Sequence, residues 1–179
     1  MYIWTAIDIN TQLKSILPKA KEIEQKLGFK NSAFTLPFHI SLKISFFVDD
    51  NKHLAVINTL NDYYKTLLPF FVEIDGIEIE NNIVWIKMKQ NKILDKIHSD
   101  IDQLLLKKHG ITQHAFDLDF KFHTTLFLDD DKNKILTAFN LIKNITLPLS
   151  VTANKFIIGS SKTGKIGTYS VTNSVDLLP

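Results

Sequence analysis

The sequence predicts an α+β protein of two similar lobes, each an antiparallel sheet with helices packed on its outer face, arranged around a central groove. Three observations predict it. Segments that alternate apolar and polar residues are interleaved along the whole chain with segments whose apolar residues recur at helical spacing. The stretch FHISLKISFFVDDNKHL at 38–54 returns as FHTTLFLDDDKNKIL at 122–136, each reading as strand, acidic cap and helix. No Gly/Ser-rich, Pro-rich or low-complexity joint separates the halves, so residues 1–179 are expected to form a single bilobal domain with no separable linker.

The elements follow in order. YIWTAIDI at 2–9 is a β-rich apolar run, after which Leu13, Ile16, Leu17, Ala20, Ile23 and Leu27 repeat at helical spacing as far as Gly28. Pro18 lies inside that pattern and either kinks the helix or begins it. In residues 35–48, Leu36, Phe38, Ile40, Leu42, Ile44 and Phe46 alternate with Pro37, His39, Ser41, Lys43 and Ser45, which predicts one core face and one polar face. Asp49, Asp50 and Asn51 offer caps for a helix with the stripe Leu54, Ile57, Leu60, Tyr64 and Leu67. FFVEIDGIEIE and IVWIKMK, split by Asn81 and Asn82, read as a hairpin. Asn91 caps a third helix with the stripe Ile93, Leu94, Ile97, Ile101, Leu104 and Leu105, closing at Gly110. Phe120, Phe122, Leu126 and Leu128 then alternate with Lys121, His123, Thr125 and Phe127. Asp129, Asp130 and Asp131 introduce a fourth helix through Ile135, Ala138, Phe139, Ile142 and Ile145. Two β-rich runs, LSVTANKFIIGSS and KIGTYSVTNSVDL, predict a terminal hairpin turning at Lys162, Thr163 and Gly164.

Composition narrows the function. The 179 residues are 45 % hydrophobic and include 13 Phe, enough for a well-packed core. With 21 basic and 19 acidic residues the net charge is +2, so no long-range field holds nucleic acid and any phosphate binding is local. The absence of cysteine excludes disulfides, thiolate catalysis and thiolate zinc sites. MYIWTAIDIN has no basic segment or small-residue cleavage site, and no apolar run reaches the ~18–20 residues of a membrane span. The expectation is a cytoplasmic, unprocessed monomer without membrane contact.

Residues two apart on a strand point the same way, so His39 shares a face with Ser41, and His123 shares one with Thr125. An approximate two-fold between the lobes brings two imidazoles and two hydroxyls together across the groove. Phosphodiester hydrolysis needs a base for the attacking oxygen and an acid for the departing one, on opposite sides of phosphorus. Imidazole titrates near neutrality, so one ring can be neutral while the other is protonated. Hydroxyls at Ser41 and Thr125 donate to non-bridging oxygens. No metal or other cofactor is then required.

With HISL and HTTL the chain resembles the two-histidine (2H) phosphoesterase superfamily, which is defined by two His-x-(Ser/Thr)-hydrophobic motifs. The tail FIIGSSKTGKIGTYSV is similar to the Ser-rich turn, Gly and Tyr that close its bacterial 2′-5′ RNA ligase-like members. The resemblance implies two α+β lobes around a groove that acts on 2′,3′-cyclic phosphates or 2′-5′ linkages of RNA ends or nucleotides. His39 and His123 are then catalytic, and Ser41 and Thr125 bind phosphate.

Other residues stay open between site and scaffold. Lys43 and Lys121 fall on the motif faces and either hold phosphate or are solvated. Tyr169 either stacks on a base or is a core residue with a wet hydroxyl, and Trp4 and Phe127 are similar cases. His53, His98, His109 and His114 lack recurrent ligand spacing, and the aspartate clusters before helices read as caps, so no metal site is expected. Both motifs are intact, which favours an enzyme over a non-catalytic module that binds RNA ends or nucleotides in the same groove. A phosphoesterase for another small cyclic phosphate is the third reading.

Overall fold

The computed structural model describes residues 1–178. In chain order it contains β1 (Tyr2–Asp8), α1 (Leu17–Leu27), β2 (His39–Phe47), α2 (His53–Tyr64), β3 (Phe70–Glu80), β4 (Ile83–Met88), α3 (Lys92–His109), β5 (His123–Leu128), α4 (Lys132–Ile142), β6 (Ser150–Ala153), β7 (Lys155–Ser161) and β8 (Ser170–Asp176). Most predicted punctuation holds. Pro18 sits in the first turn of α1, where its missing N–H has no helical partner to lose. Gly28 and Gly110 close α1 and α3 in the left-handed conformation, φ 62° and 69°. Asn91 and Asp131 accept backbone N–H groups in the first turns of α3 and α4.

Two expectations are corrected. The Asp49–Asn51 run does not cap α2: Lys52 occupies the cap position without a side-chain bond, while Asp50 pairs with the Met1 amino group at 3.1 Å. The run expected to be the first arm of the terminal hairpin divides at Asn154. Its first part, β6, joins β3; only β7 pairs with β8.

All eight of these strands pair antiparallel in two four-stranded sheets, β2-β1-β7-β8 and β5-β4-β3-β6. The chain thus leaves the first sheet after β2, builds the whole second sheet, and returns to complete the first with β7 and β8. One buried cluster joins Ile3, Ile7, Ile40 and Leu42 of the first sheet to Val72, Val84, Ile86 and Leu126 of the second. Ala20, Ile57, Leu94 and Ile135 contribute to it from the four helices. The strands bearing the repeated motif, β2 and β5, are the edge strands of their sheets and lie against each other.

Both motif strands depart from strict alternation at the same place. Across β1 and β2 the partners run Asp8 with His39, Ala6 with Ser41, then Thr5 with Lys43, so Leu42 is an extra residue in β2. Across β4 and β5 they run Lys87 with His123, Trp85 with Thr125, then Val84 with Phe127, so Leu126 is extra in β5. An extra residue reverses the face to which the side chains just after it point, and in β2 a second extra residue between Lys43 and Phe46 reverses it again. Lys43 and Phe127, expected on the groove face, are therefore turned to the other side, 2 % and 1 % exposed.

Phe127 joins the core against Phe29 and Phe34. Lys43 requires charge: its ammonium contacts Asp102 of α3 and, at 2.9 Å, Asp117. Asp117 also accepts N–H groups of Ile44 and His114. Burial raises the pKa of Asp117, but the Lys43 ammonium and these two N–H donors outweigh it and hold the carboxyl below its usual range. With a depressed folded-state pKa, its stabilising contribution is complete above the unfolded value of ~3.9 and is lost as pH falls through the lower folded one. Lys43→Met leaves two carboxylates beside an apolar side chain. It is expected to lower stability by roughly 3–5 kcal/mol in urea unfolding at neutral pH, with less of that loss remaining in acid as Asp117 protonates.

Candidate active site

His39 and His123, at the first positions of β2 and β5, line one cavity of about 610 Å³, together with Ser41, Trp4, Trp85, Phe116, Lys121 and Tyr169. Thr125 lines an adjoining, more apolar hollow of about 200 Å³ that shares Leu36, His39 and Tyr169 with the first. The two hollows meet at the wall formed by these residues, and Thr125 is not among the residues that line the cavity of His123.

The two imidazoles are held alike. His39 Nδ1 lies 2.7 Å from the Pro37 carbonyl oxygen, and His123 Nδ1 lies 2.6 Å from that of Lys121. A carbonyl only accepts, so each Nδ1 carries the proton and Nε2 is the nitrogen left for a ligand. Each ring leans on an indole from the neighbouring strand, Trp4 at 4.7 Å from His39 and Trp85 at 4.1 Å from His123. Both indoles are buried, and Nε1 of each has no hydrogen-bond partner among the described residues.

Burial is the main cause that lowers the pKa of both histidines, because the covered cavity disfavours imidazolium. The Nδ1–H bonds act the other way. Asp8, opposite His39 in the ladder, also favours a proton on His39, and His39 itself disfavours one on His123. The residue opposite His123 is Lys87, engaged by Asp75 and Glu78.

The remaining candidates divide. The Lys43 ammonium is committed to Asp102 and Asp117 rather than to the cavity. Lys121 lies ahead of β5 rather than in it; its exposed ammonium is 3.4 Å from Glu80, and its carbonyl anchors His123. Tyr169 bonds Ser45 of β2 at 2.5 Å and packs on Trp4, so it ties the end of the Ser161–Tyr169 turn to the motif strand. His98 is buried, with ring nitrogens 2.7 Å and 3.0 Å from the carbonyl oxygens of Leu42 and Asp117, and His109 meets Thr59. Among the described residues, no three His, Asp or Glu side chains converge to hold a metal ion, and no helix is long and apolar enough to cross a membrane.

The model of the 2′-5′ RNA ligase superfamily matches residues 14–164. The chain belongs to this superfamily of 2H phosphoesterases. Its fold is that of Escherichia coli LigT, solved in complex with 3′-AMP, at TM-score 0.67 over 99 % of this chain and 98 % of that one, with 17 % identity. TT0787 of Thermus thermophilus superposes at TM-score 0.67 with 14 % identity, over 99 % of this chain and 98 % of that one. Usb1 of Kluyveromyces marxianus superposes at 0.52 with 11 % identity, covering 98 % of both. No curated protein sequence matches.

Beyond the superfamily motif, sequence reasoning missed the pairing of each histidine with an indole. The signal lies in the two tryptophans of the chain, Trp4 and Trp85, each in an apolar strand next to a motif strand. It also missed Gly159, which pairs with Trp4 across β1 and β7. A Cβ there would lie 2.2 Å from Trp4 Nε1 and 2.8 Å from the Ser170 carbonyl oxygen, so glycine is what lets the indole lie over β7. Gly159→Ala is expected to lift Trp4 from His39. The His39 pKa then rises toward its ordinary value, since loss of cover relieves the desolvation that lowers it. An NMR titration of the His39 ring checks this, with Trp4→Ala producing the same direction of shift without the steric clash.

Proposed function

We propose that this protein is a phosphodiesterase that opens 2′,3′-cyclic phosphates of RNA ends or nucleotides, and/or cleaves or joins 2′-5′ linkages, by acid–base catalysis from His39 and His123. The observation that carries this reading is the duplicated imidazole: in both lobes Nδ1 is bonded to the carbonyl two residues earlier and Nε2 is left to a shared cavity. Membership of a phosphoesterase superfamily supports it, as do the LigT structures with 3′-AMP, phosphate, ATP and NADP⁺, which point to nucleotide partners.

In hydrolysis, the neutral imidazole accepts a proton from water at Nε2 as the water oxygen bonds to phosphorus. The P–O3′ bond breaks as the other histidine, already protonated, delivers its Nε2 proton to O3′, leaving a 2′-phosphate. Hydroxyls of Ser41 and Thr125 donate to the non-bridging oxygens, where charge is held through the transition state. The imidazoles carry both proton transfers, so no step calls for a metal ion. A panel of 2′,3′-cyclic mononucleotides, cyclic-phosphate-ended RNA and 2′-5′ dinucleotides, assayed in EDTA, tests the reading through the position of phosphate in the product. Absence of turnover on the whole panel would reject it.

Substitution of either histidine by alanine is expected to reduce the rate by ~10² or more. Ser41→Ala and Thr125→Ala should each lose less, because the other donors still hold the phosphate. The histidine losses should not add in the double variant, since acid and base act in one transition state.

The pH profile should be bell-shaped, its limbs belonging to the coupled pair. Both imidazoles are depressed in the free protein, so the optimum of kcat/KM is expected below the ordinary imidazole value of ~6.5. A bound phosphate anion favours imidazolium and raises both constants, so the bell for kcat should lie at higher pH than that for kcat/KM. Coincident bells, measured on one cyclic nucleotide, would contradict the assignment.

A further inference from the structure

The turn Ala115–Asp117 is braced from two sides although it buries no apolar side chain of its own. His114 caps it: its ring accepts the Phe116 N–H at 3.2 Å, while the Asp117 carboxylate accepts the His114 N–H at 2.9 Å. That carboxylate also holds the Lys43 ammonium and the Ile44 N–H of β2. Asp102 of α3 holds Lys43 from the other side and accepts from Gln113 at 2.8 Å. Charges are thus buried to fix the turn on both β2 and α3, yet its outward residue, Phe116, is 72 % exposed.

Phe116 lines the cavity that contains His39 and His123, and its ring is backed by His114 at 5.1 Å. Exposure alone is not the distinction: Leu118, 75 % exposed, lies in a separate hollow. An aromatic ring carried on a braced turn at the rim, with its surface open, matches the stacking demand of a nucleobase, for which the adjoining phosphate site of the proposed reaction supplies the anchor.

We propose that Phe116 is a base-stacking residue, receiving the nucleobase of a nucleotide whose phosphate lies between His39 and His123. This rests on the phosphodiesterase reading and deepens it, because it requires a nucleoside phosphate rather than a cyclic phosphate of a bare sugar. Stacking reads a π face that every base has, so Phe116 contributes affinity without selecting a base.

Phe116 is exposed, so its substitution leaves the fold intact. The test is titration of the unsubstituted protein, Phe116→Ala and Phe116→Tyr with adenosine 2′-phosphate and with inorganic phosphate. Binding is followed by the fluorescence of Trp4 and Trp85, both in the cavity wall. Phe116→Ala should weaken nucleotide binding by about 10-fold and leave phosphate affinity as it was, whereas Phe116→Tyr should retain the nucleotide. Equal losses for both ligands, an unchanged nucleotide affinity in Phe116→Ala, or no preference of the unsubstituted protein for nucleotide over phosphate would each overturn the proposal. A Phe116-dependent nucleotide preference in a protein that turns over no cyclic phosphate would uphold stacking while rejecting the phosphodiesterase reading.

Discussion

The extra residue that comes after each motif hydroxyl, Leu42 in β2 and Leu126 in β5, decides what faces the groove and what faces the core. Before it, alternation delivers His39 with Ser41 and His123 with Thr125 to one side. Just after it the phase is reversed and the next side chain is carried inward, and in β2 a second extra residue before Phe46 reverses the phase again. The two lobes answer this identical backbone constraint with different chemistry. Phe127 is simply absorbed by the apolar cluster, whereas Lys43 is tolerated because Asp102 and Asp117 surround its ammonium. The second solution has a structural consequence that the first lacks: it ties α3 and the 113–117 segment to the motif strand.

Burial moves the pKa values of the two histidines, downward, more than any neighbouring charge does. Each lies on an edge strand, where one flank is open to the groove, and each is roofed by an indole from the strand beside it. Covering an imidazole with an apolar ring removes water that would solvate its charged form, while the Nδ1–H bond to a carbonyl restores part of that preference. Glycine at 159 and tyrosine at 169 belong to this arrangement, the first by making room for Trp4 and the second by bonding Ser45.

Solved structures share this fold at 11–17 % identity. A sheet of alternating apolar residues can be repacked with many combinations of similar volume.

Much of this protein was legible from periodicity and punctuation. Strand and helix order, the caps at Gly28, Asn91, Gly110 and Asp131, and the shared faces of His39 with Ser41 and His123 with Thr125 all depend on neighbours within a few positions, which is the range over which sequence pattern is informative. The repeat made the pair visible, since one FHxxL strand carries little information and two carry a relation. What tertiary structure alone decided involves residues far apart in sequence. Register shifts at Leu42 and Leu126 are set by pairing with β1 and β4, so alternation continued past them placed Lys43 and Phe127 on the wrong face. The division at Asn154, which sends β6 and β7 to different sheets, depends on which edges remained unpaired once β3 and β1 were in place. Asp117, 74 residues from Lys43, and Gly159, opposite Trp4, acquire their roles only when the returning chain brings them into contact.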